Sequence, residues 1–241
     1  ADRLKVLMIG NSFSICVLEQ MPQVAKAMGK ERETNLELDG VDTTLMLTHE
    51  VYEKLWNEDV GYVVTTGYGR ELLPEANKKV TEITCHGKGG YALLGRDCSI
   101  VDIGGQDSKV ILLDNGLNVV DFLMNDKCAA GTGRFYEAMA NAFEMTLPEF
   151  SKLSLQAKNT IPITAQCTVF AESEVISLVG EGKPMDEIAA GIQLAVAKRC
   201  FVMAKKAGAT DSITLTGGCA KNVGLKAAIE KVLKIKVVEL N

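Results

Sequence analysis

The sequence predicts an α/β protein in which strands and helices alternate along the chain and the strands form a mostly buried sheet. Three observations support this fold class: short β-branched runs, apolar residues at helical spacing between them, and turn residues where the elements end. The runs that we expect to form strands are residues 3–9, 60–66, 98–103 and 212–216.

A hairpin is predicted directly after the strand at 98–103. The runs 108–113 and 117–124 flank Asp114, Asn115 and Gly116. These three residues tolerate the positive φ angles of a tight turn. The two runs should therefore form neighbouring antiparallel strands.

Two amphipathic helices are predicted in the second half of the chain. In each, apolar residues recur at the i, i+4, i+7 and i+8 positions of one buried face. The two sets are Phe135, Met139, Ala142 and Phe143, and Ile188, Ile192, Ala195 and Val196.

The ends of these helices also have sequence signals. Lys205, Lys206 and Gly208 are typical of a helix C-terminus, because cations favour the last turn and glycine favours a left-handed cap. Thr146 and Glu149 form the T-x-x-E pattern of a capping box, which predicts the start of a further short helix.

Composition and charge narrow the classes of function. A chain of 241 residues with 47% hydrophobic content can form packed cores, and its net charge of −5 without a basic stripe argues against a nucleic-acid partner. No apolar run reaches the roughly 18 residues of a membrane span, and the apolar start is too short for a signal peptide. We therefore expect a cytoplasmic protein without a membrane partner.

The odd count of seven cysteines favours reduced thiols.

The first chemical signal is the segment DIGGQDSKV at residues 102–110, where a predicted strand ends and turns on two glycines. Gly104 and Gly105 have no Cβ, so their backbone N–H groups can approach an anion closely. Asp102, at the end of the strand, can hold a hydrated magnesium ion. The segment favours a phosphate site, although the same pattern is also common in plain tight turns.

A second glycine pair supports a nucleotide. Gly217 and Gly218 follow the strand at 212–216 and precede a predicted helix. Their backbone can therefore pass close to a ribose or an adenine. Two such turns in separate strand-helix units predict a nucleotide held in a cleft.

Two cysteines lie at predicted helix starts, where the positive end of the helix dipole favours a thiolate. Cys128 precedes the glycines of one helix start, and Cys167 opens another helix. Such thiols can be small buried hydrophobes, nucleophiles or metal ligands. A nucleophile lacks a suitable base, since His49 and His86 are the only histidines. A metal site usually needs four ligands, which two subunits would supply.

The remaining cysteines lack the glycine-framed setting, and we expect them to be packing residues. They are Cys16, Cys85, Cys98, Cys200 and Cys219.

Several motifs in order give a resemblance that spacing alone does not. They are TGYGR at 66–70, DIGGQDSKV at 102–110, NDKCAAGTGRF at 125–135, CTVFAESEVISL at 167–178 and GGCAKN at 217–222. Together they resemble the ATPase activators of 2-hydroxyacyl-CoA dehydratases, also called component A or archerase, in the family that includes the benzoyl-CoA reductase ATPase subunits. The resemblance extends from about Val60 to Asn222.

The resemblance implies an actin-like ATPase fold, of the acetate kinase/Hsp70/actin and ribonuclease H-like type. It implies a homodimer with one four-iron four-sulfur cluster between its subunits, and ATP with Mg²⁺ in each subunit. The implied function is ATP-dependent one-electron transfer from reduced ferredoxin or flavodoxin to an acyl-CoA dehydratase or reductase.

The resemblance also implies roles for individual residues. Cys128 and Cys167 are the expected cluster ligands, Asp102 the magnesium ligand, and Gln106 the residue that orients the hydrolytic water; Asp102 and Gln106 are thus the expected catalytic residues. The expected nucleotide-binding residues are Gly104, Gly105, Gln106, Asp107, Ser108, Gly131, Thr132, Gly133, Gly217, Gly218 and Asn222.

The beginning of the chain departs from the family pattern. Met8 stands where the first phosphate loop of the family has an acidic residue, so we expect slow or absent ATP hydrolysis. Residues 1–50 instead resemble the start of an SGNH-type hydrolase with Ser12 as the nucleophile, but the late Asp-x-x-His segment of that family is missing. A non-hydrolysing remnant that keeps the cluster and, less favoured, an esterase are the alternatives.

These observations predict three regions. Residues 1–50 form a divergent N-terminal segment, residues 51–97 a remnant of the first actin-like subdomain, and residues 98–241 the second subdomain with the phosphate loop, the cysteines and the adenosine motif. The fold is expected to be incomplete at both ends.

Overall fold

The computed structural model describes residues 63–96, 98–114, 118–125, 130–164, 167–209 and 212–238, and the backbone of residues 5 and 6. The chain divides into two compact units, residues 1–96 and residues 97–241. All predicted site residues lie in the second unit, and among them Cys128 falls outside the described residues.

The first unit contains a parallel three-stranded sheet in the order β1-β2-β3, followed by helix α1. Its elements are β1 (Lys5–Val6), β2 (Val63–Thr65), a 3₁₀ turn (Tyr68–Glu71), β3 (Lys78–Lys79) and α1 (Glu82–Leu94). The predicted strands at 3–9 and 60–66 include β1 and β2, but α1 was not predicted. Three glycines within it, at positions 87, 89 and 90, lower its helix propensity.

The second unit is built on a mixed five-stranded sheet in the order β6-β5-β4-β7-β8. Strand β5 pairs antiparallel with both β4 and β6, whereas β7 lies parallel to β4 and β8 lies parallel to β7. The strands are β4 (Ser99–Ile103), β5 (Ser108–Leu113), β6 (Val119–Asn125), β7 (Ile213–Thr216) and β8 (Val237–Val238). The predicted hairpin is confirmed as β5 and β6.

The helices of this unit pack against one face of the sheet and form one large hydrophobic core with it. They are α2 (Gly133–Ala142), α3 (Leu147–Leu153), α4 (Thr168–Gly180), α5 (Met185–Ala207) and α6 (Val223–Leu233), with a 3₁₀ turn (Gly218–Lys221) ahead of α6. Val101 and Ile103 of β4 and Val110 of β5 belong to this core. Alternate residues of a strand face opposite sides, so Asp102 and Lys109 lie on the other face of the sheet.

The predicted helix faces are confirmed. Phe135, Met139 and Phe143 are buried in and just after α2, and Ile188, Ile192 and Val196 of α5 are all 0% exposed. The remaining two positions, Ala142 and Ala195, are half-buried.

The predicted helix ends are confirmed as well. Gly208 ends α5 in the left-handed region at φ 79°. Thr146 and Glu149 form the capping box of α3, in which the Thr146 N–H donates to Glu149 Oε2 at 2.9 Å and the Glu149 N–H donates to Thr146 Oγ1 at 3.4 Å. The Thr146 hydroxyl also donates to Glu149 Oε2, at 2.7 Å, and this bond together with the one from the Thr146 N–H lowers the pKa of the Glu149 carboxyl.

Candidate functional site

The carboxyl ends of β4 and β7 meet at one edge of the second sheet. Asp102 lies opposite Thr216 in the parallel pair, and the Thr216 hydroxyl donates a hydrogen bond of 3.0 Å to Asp102 Oδ1. Gly217 follows with φ +78°, and a Cβ there would lie 2.5 Å from the Ile103 carbonyl oxygen. Only glycine allows this approach, so the turn after β7 packs directly against the end of β4.

The loop that joins β4 to β5 is a tight turn. The Gly104 N–H donates to the Asp107 carbonyl oxygen at 3.0 Å and closes the turn. Within the described part of the chain, the N–H groups of Gly105 and Gln106 have no acceptor. Consecutive N–H groups of a turn that lack acceptors can bind an anion. The exposed Gln106 side chain lies on the same turn.

This turn is also bonded to the start of α2. The Gly133 N–H donates to the Gly104 carbonyl oxygen at 2.7 Å, and the Arg134 N–H donates to the Gly105 carbonyl oxygen at 3.0 Å. A Cβ on Gly133 would lie 3.0 Å from Gly105 Cα, so the close approach depends on the missing side chain. These N–H groups, which lack partners within the helix, are satisfied by the loop itself.

Two further predicted residues, Gly131 and Thr132, precede α2. Gly131 has φ +91°, and a Cβ there would lie 3.5 Å from Arg199 Cδ of α5. Thr132 is the N-cap residue and is 0% exposed. Their backbone therefore lies between α5 and the turn at residues 104–107, which is called the phosphate turn from here on.

Three charged side chains lie buried beneath the phosphate turn. Asp102 is 0% exposed, Lys109 1% and Asp107 7%. Lys109 Nζ lies 2.7 Å from Asp107 Oδ2 and 3.8 Å from Asp102 Oδ2. Two carboxylates lie beside this one ammonium, and carboxylate oxygens are the ligands that Mg²⁺ prefers. Asp102 thus fits a hydrated magnesium ion beside a phosphate.

Ser108 and Asn222 have structural contacts of their own. The Ser108 hydroxyl donates to Met203 Sδ of α5 at 3.9 Å, so this side chain faces the helix layer. Asn222 caps α6, and its Oδ1 accepts from Leu225 N–H at 2.9 Å, Ser151 Oγ at 2.8 Å and Gln193 Nε2 at 3.1 Å. An asparagine before an apolar helical run is a helix-start signal in the sequence, and this capping role was missed.

Of the two predicted cluster ligands, the structure describes Cys167. It is the exposed N-cap residue of α4 and makes no side-chain capping bond. The predicted helix start is therefore confirmed, while its role as a ligand stays a prediction.

The other described cysteines are less accessible. Cys98, Cys200 and Cys219 are buried, and Cys85 is half-buried. Burial raises the pKa of the Cys200 and Cys219 thiols to about 12. Thiols of this kind are neutral at physiological pH, which suits packing residues. Cys16 lies outside the described residues.

Sequence reasoning did not single out Lys109 or Thr216. The signal for Lys109 was present, because a lysine interrupts an otherwise apolar strand in the run Ser-Lys-Val-Ile-Leu-Leu. A lysine in a buried strand requires a partner of opposite charge. Thr216 had no comparable signal, since its contact with Asp102 depends on the parallel pairing of β4 with β7.

The residues considered for an esterase are not part of these contacts. Ser12 and His49 lie outside the described residues, and His86 is buried in α1.

In the described ranges, no three His, Cys, Asp or Glu side chains are grouped closely enough to hold a metal ion. The same ranges contain no helix with the length and apolarity needed to cross a membrane.

The parallel strands that end in two glycine turns, in a mixed sheet covered by helices, define a protein of the actin-like ATPase class. Comparison with known sequences identifies it further: the sequence model of the BadF/BadG/BcrA/BcrD ATPase family matches residues 12–241. The chain belongs to this family.

Individual relatives are similar over most of the chain. The activator of lactoyl-CoA dehydratase from Anaerotignum propionicum is 48% identical over 184 residues, 76% of this chain and 71% of that protein. The (R)-2-hydroxyglutaryl-CoA dehydratase activating ATPase from Acidaminococcus fermentans is 41% identical over 75% of this chain and 69% of that protein. The chain is thus a homologue of acyl-CoA dehydratase activators.

A solved structure supports the same fold. The activator of the 2-hydroxyisocaproyl-CoA dehydratase from Clostridium difficile, with bound ADPNP, is 40% identical to this chain. The comparison has a TM-score of 0.70 and covers 83% of this chain and 75% of that structure. The predicted actin-like fold is therefore confirmed.

Proposed function

We propose that the chain is an ATP-dependent one-electron-transfer activator of an acyl-CoA dehydratase. It would receive an electron from a reduced ferredoxin or flavodoxin and pass it on through a four-iron four-sulfur cluster shared by two copies of the chain. The relatives named as dehydratase activators support the partner, and the contacts below support the coupling to nucleotide.

The observation that carries the proposal is the direct bonding of the phosphate turn to the start of α2. The carbonyl oxygens of Gly104 and Gly105 accept from the first residues of α2. Gly133, the first of them, lies five residues after Cys128. A change of the turn on binding or losing the γ-phosphate would therefore act on the segment that carries Cys128 without any intervening element.

Each polar group at this sheet edge would have its own role in nucleotide binding. Asp102 would hold Mg²⁺ in a position set by Thr216, the N–H groups of Gly105 and Gln106 would bind phosphate oxygens, and the Gln106 amide would orient water for hydrolysis. The carboxylates of Asp102 and Asp107 would fit Mg²⁺, and the open N–H groups of the turn would fit the phosphates of ATP.

The surface of α4 supports a second copy of the chain. Every exposed residue of this helix is uncharged, and the set is Val169, Phe170, Ser173, Ile176, Ser177 and Gly180. The hydroxyls of Ser173 and Ser177 donate to backbone carbonyls four residues earlier, so they need no water. An apolar face of this kind, beginning at Cys167, suits contact with another subunit.

Two exposed Cys167 thiols and two Cys128 thiols would give a dimer the four thiolates that a cubane cluster needs. When bound, such a cluster supplies one-electron redox chemistry. The chain would contribute its two thiolates, of which Cys167 lies at the start of α4, and an apolar face that limits water access. A shift of about 59 mV changes a one-electron equilibrium tenfold, so small changes of this surrounding can gate transfer.

The cluster is tested by anaerobic reconstitution of the wild type and of Cys167→Ser. The wild type should contain about four irons per dimer, and the variant should lose iron and become monomeric. Cys85→Ser, which changes a half-buried thiol of the first unit, is the matched control and should keep its iron. Iron content unchanged in Cys167→Ser would refute the shared cluster.

The nucleotide role is tested by phosphate release with Mg²⁺ and ATP, compared between the wild type and Asp102→Asn. Loss of a transition-state contact lowers the rate by on the order of 10²–10³. Turnover that Asp102→Asn abolishes supports the activator. Tight ADP binding without turnover would identify the non-hydrolysing remnant, and turnover that is indifferent to Asp102 would contradict the assigned site.

A further inference from the structure

Lys109 is an unusual residue for the interior of a sheet. It lies on β5 opposite Asp102 of β4 and is among the largest fully buried side chains of the described residues, at 1% exposure. Burial of an ammonium is unfavourable unless anions or hydrogen-bond acceptors surround it. Here two carboxylates do so.

The ammonium connects the two ends of the phosphate turn. Asp102 precedes Gly104 and Asp107 follows Gln106, and Lys109 Nζ lies 3.8 Å from the first carboxylate and 2.7 Å from the second. The ion pair therefore closes the turn from below, while the bond from Gly104 N–H to the Asp107 carbonyl oxygen closes it through the backbone.

We propose that Lys109 is a fixed monovalent cation of the nucleotide site. Its ammonium lies between the two buried carboxylates, reduces their mutual repulsion and keeps the phosphate turn closed. Lys109 is thus a positioning residue, which acts through Asp102 and Asp107. The inference rests on the proposed nucleotide site and adds to it a cation that the chain itself supplies.

A purely packing role for Lys109 makes a different prediction. If only the volume of the side chain mattered, methionine would replace it with little effect, because the two side chains are of similar length. If the charge matters, Lys109→Met removes the cation that lies between two like carboxylates. The equilibrium constant for unfolding should then rise by roughly 10²-fold or more.

The experiment compares Lys109→Ala with Lys109→Met in sodium, ammonium and ethylammonium chloride at equal ionic strength. The readouts are the melting temperature of the nucleotide-free protein and the affinity for ADP with Mg²⁺, measured by calorimetry. Alanine leaves space for an external cation beside the carboxylates, whereas methionine fills it. We expect ammonium or ethylammonium to raise both quantities for Lys109→Ala, and to change neither for Lys109→Met or the wild type.

A double variant keeps the test informative if the single variants do not fold. Lys109→Met with Asp107→Asn has the same net charge as the wild-type cluster. It should fold and should bind ADP with Mg²⁺ within about tenfold of the wild type. Wild-type affinity in Lys109→Met alone, or no response of Lys109→Ala to added cations, would overturn the inference.

Failure of the proposed function has a separate signature. If the wild type does not bind ADP with Mg²⁺, the nucleotide site is wrong. The effect of ammonium on the melting temperature of Lys109→Ala still decides whether Lys109 acts as the counter-cation of the two carboxylates.

Discussion

Residues of the same chain bury the sheet edge at β4 and β7, whereas one face of α4 is exposed to solvent. At the sheet edge, Asp102 is 0% exposed and is bonded to Thr216, and Gly217 leaves no space for a side chain. On α4, Phe170 is 70% exposed and Val169 66%. A single chain therefore completes this sheet edge alone, whereas the face beside Cys167 is exposed and is, in our proposal, covered by a second copy of the chain.

The comparison predicts that a small substitution at the sheet edge will be the most damaging. In Gly217→Ala, the added Cβ would meet the Ile103 carbonyl oxygen at 2.5 Å and Asp102 Oδ1 at 2.7 Å, at a positive φ. We expect a loss of about 2–4 kcal/mol in the free energy of unfolding. Urea denaturation measures it.

Gly218→Ala is the matched control for this change. A Cβ on the neighbouring glycine meets no atom within 4 Å, so its stability should stay within about 0.5 kcal/mol of the wild type. Equal stability losses in both variants would show that the close approach at Gly217 is not what requires glycine.

A change on α4 should instead affect assembly and leave the fold intact. Phe170→Lys adds a charge to an exposed apolar face, so the dissociation constant of the dimer should rise by roughly 10²-fold. Sedimentation of the reconstituted protein measures this constant, and urea denaturation checks the fold. Val202→Lys, at a 62% exposed position of α5, is the control. Equal effects of the two lysines would mean that α4 is not the dimer contact.

The smallest expected change in stability concerns α3. Ser151 of this helix donates to Asn222, which caps α6. Thr146→Ala removes the capping box and should lower the free energy of unfolding by about 1 kcal/mol. Because the bonds from Thr146 lower the pKa of Glu149, the part of this stabilisation that comes from the Glu149 carboxylate is present at neutral pH and is lost as pH falls through that pKa.

The measurement is the stability of Thr146→Ala and wild type between neutral and acidic pH. The difference should narrow as the pH falls. Gln156→Ala, at an exposed position just after α3, should match the wild type throughout. A difference that does not depend on pH would assign the stabilisation to Thr146 alone.

The sequence predicted those parts of the fold that depend on local spacing. The faces of α2 and α5, the left-handed end at Gly208 and the capping box at Thr146 follow from neighbours along one helix, and all were predicted. Helix α1 was missed because its glycines oppose its pattern. The two glycine turns of the site were found through their composition.

Contacts between distant strands could not be predicted in the same way. The bond from Thr216 to Asp102 and the approach of Gly217 to Ile103 require the parallel pairing of β4 with β7, which no local pattern specifies. The ion pairs of Lys109 depend on register in the same manner. The resemblance assigned Asn222 to the adenosine site, which stays a prediction; that its Oδ1 caps α6 and accepts from two further side chains was not predicted.

The pairing of β4 with β7 has a consequence for the newly made protein. Asp102 and Thr216 are bonded across 114 residues of sequence, and at synthesis rates of roughly 5–20 residues per second the second strand follows the first by on the order of ten seconds. During this interval β4 can pair only with β5. The edge at which Thr216 bonds Asp102 can therefore form only after β7 has been synthesised.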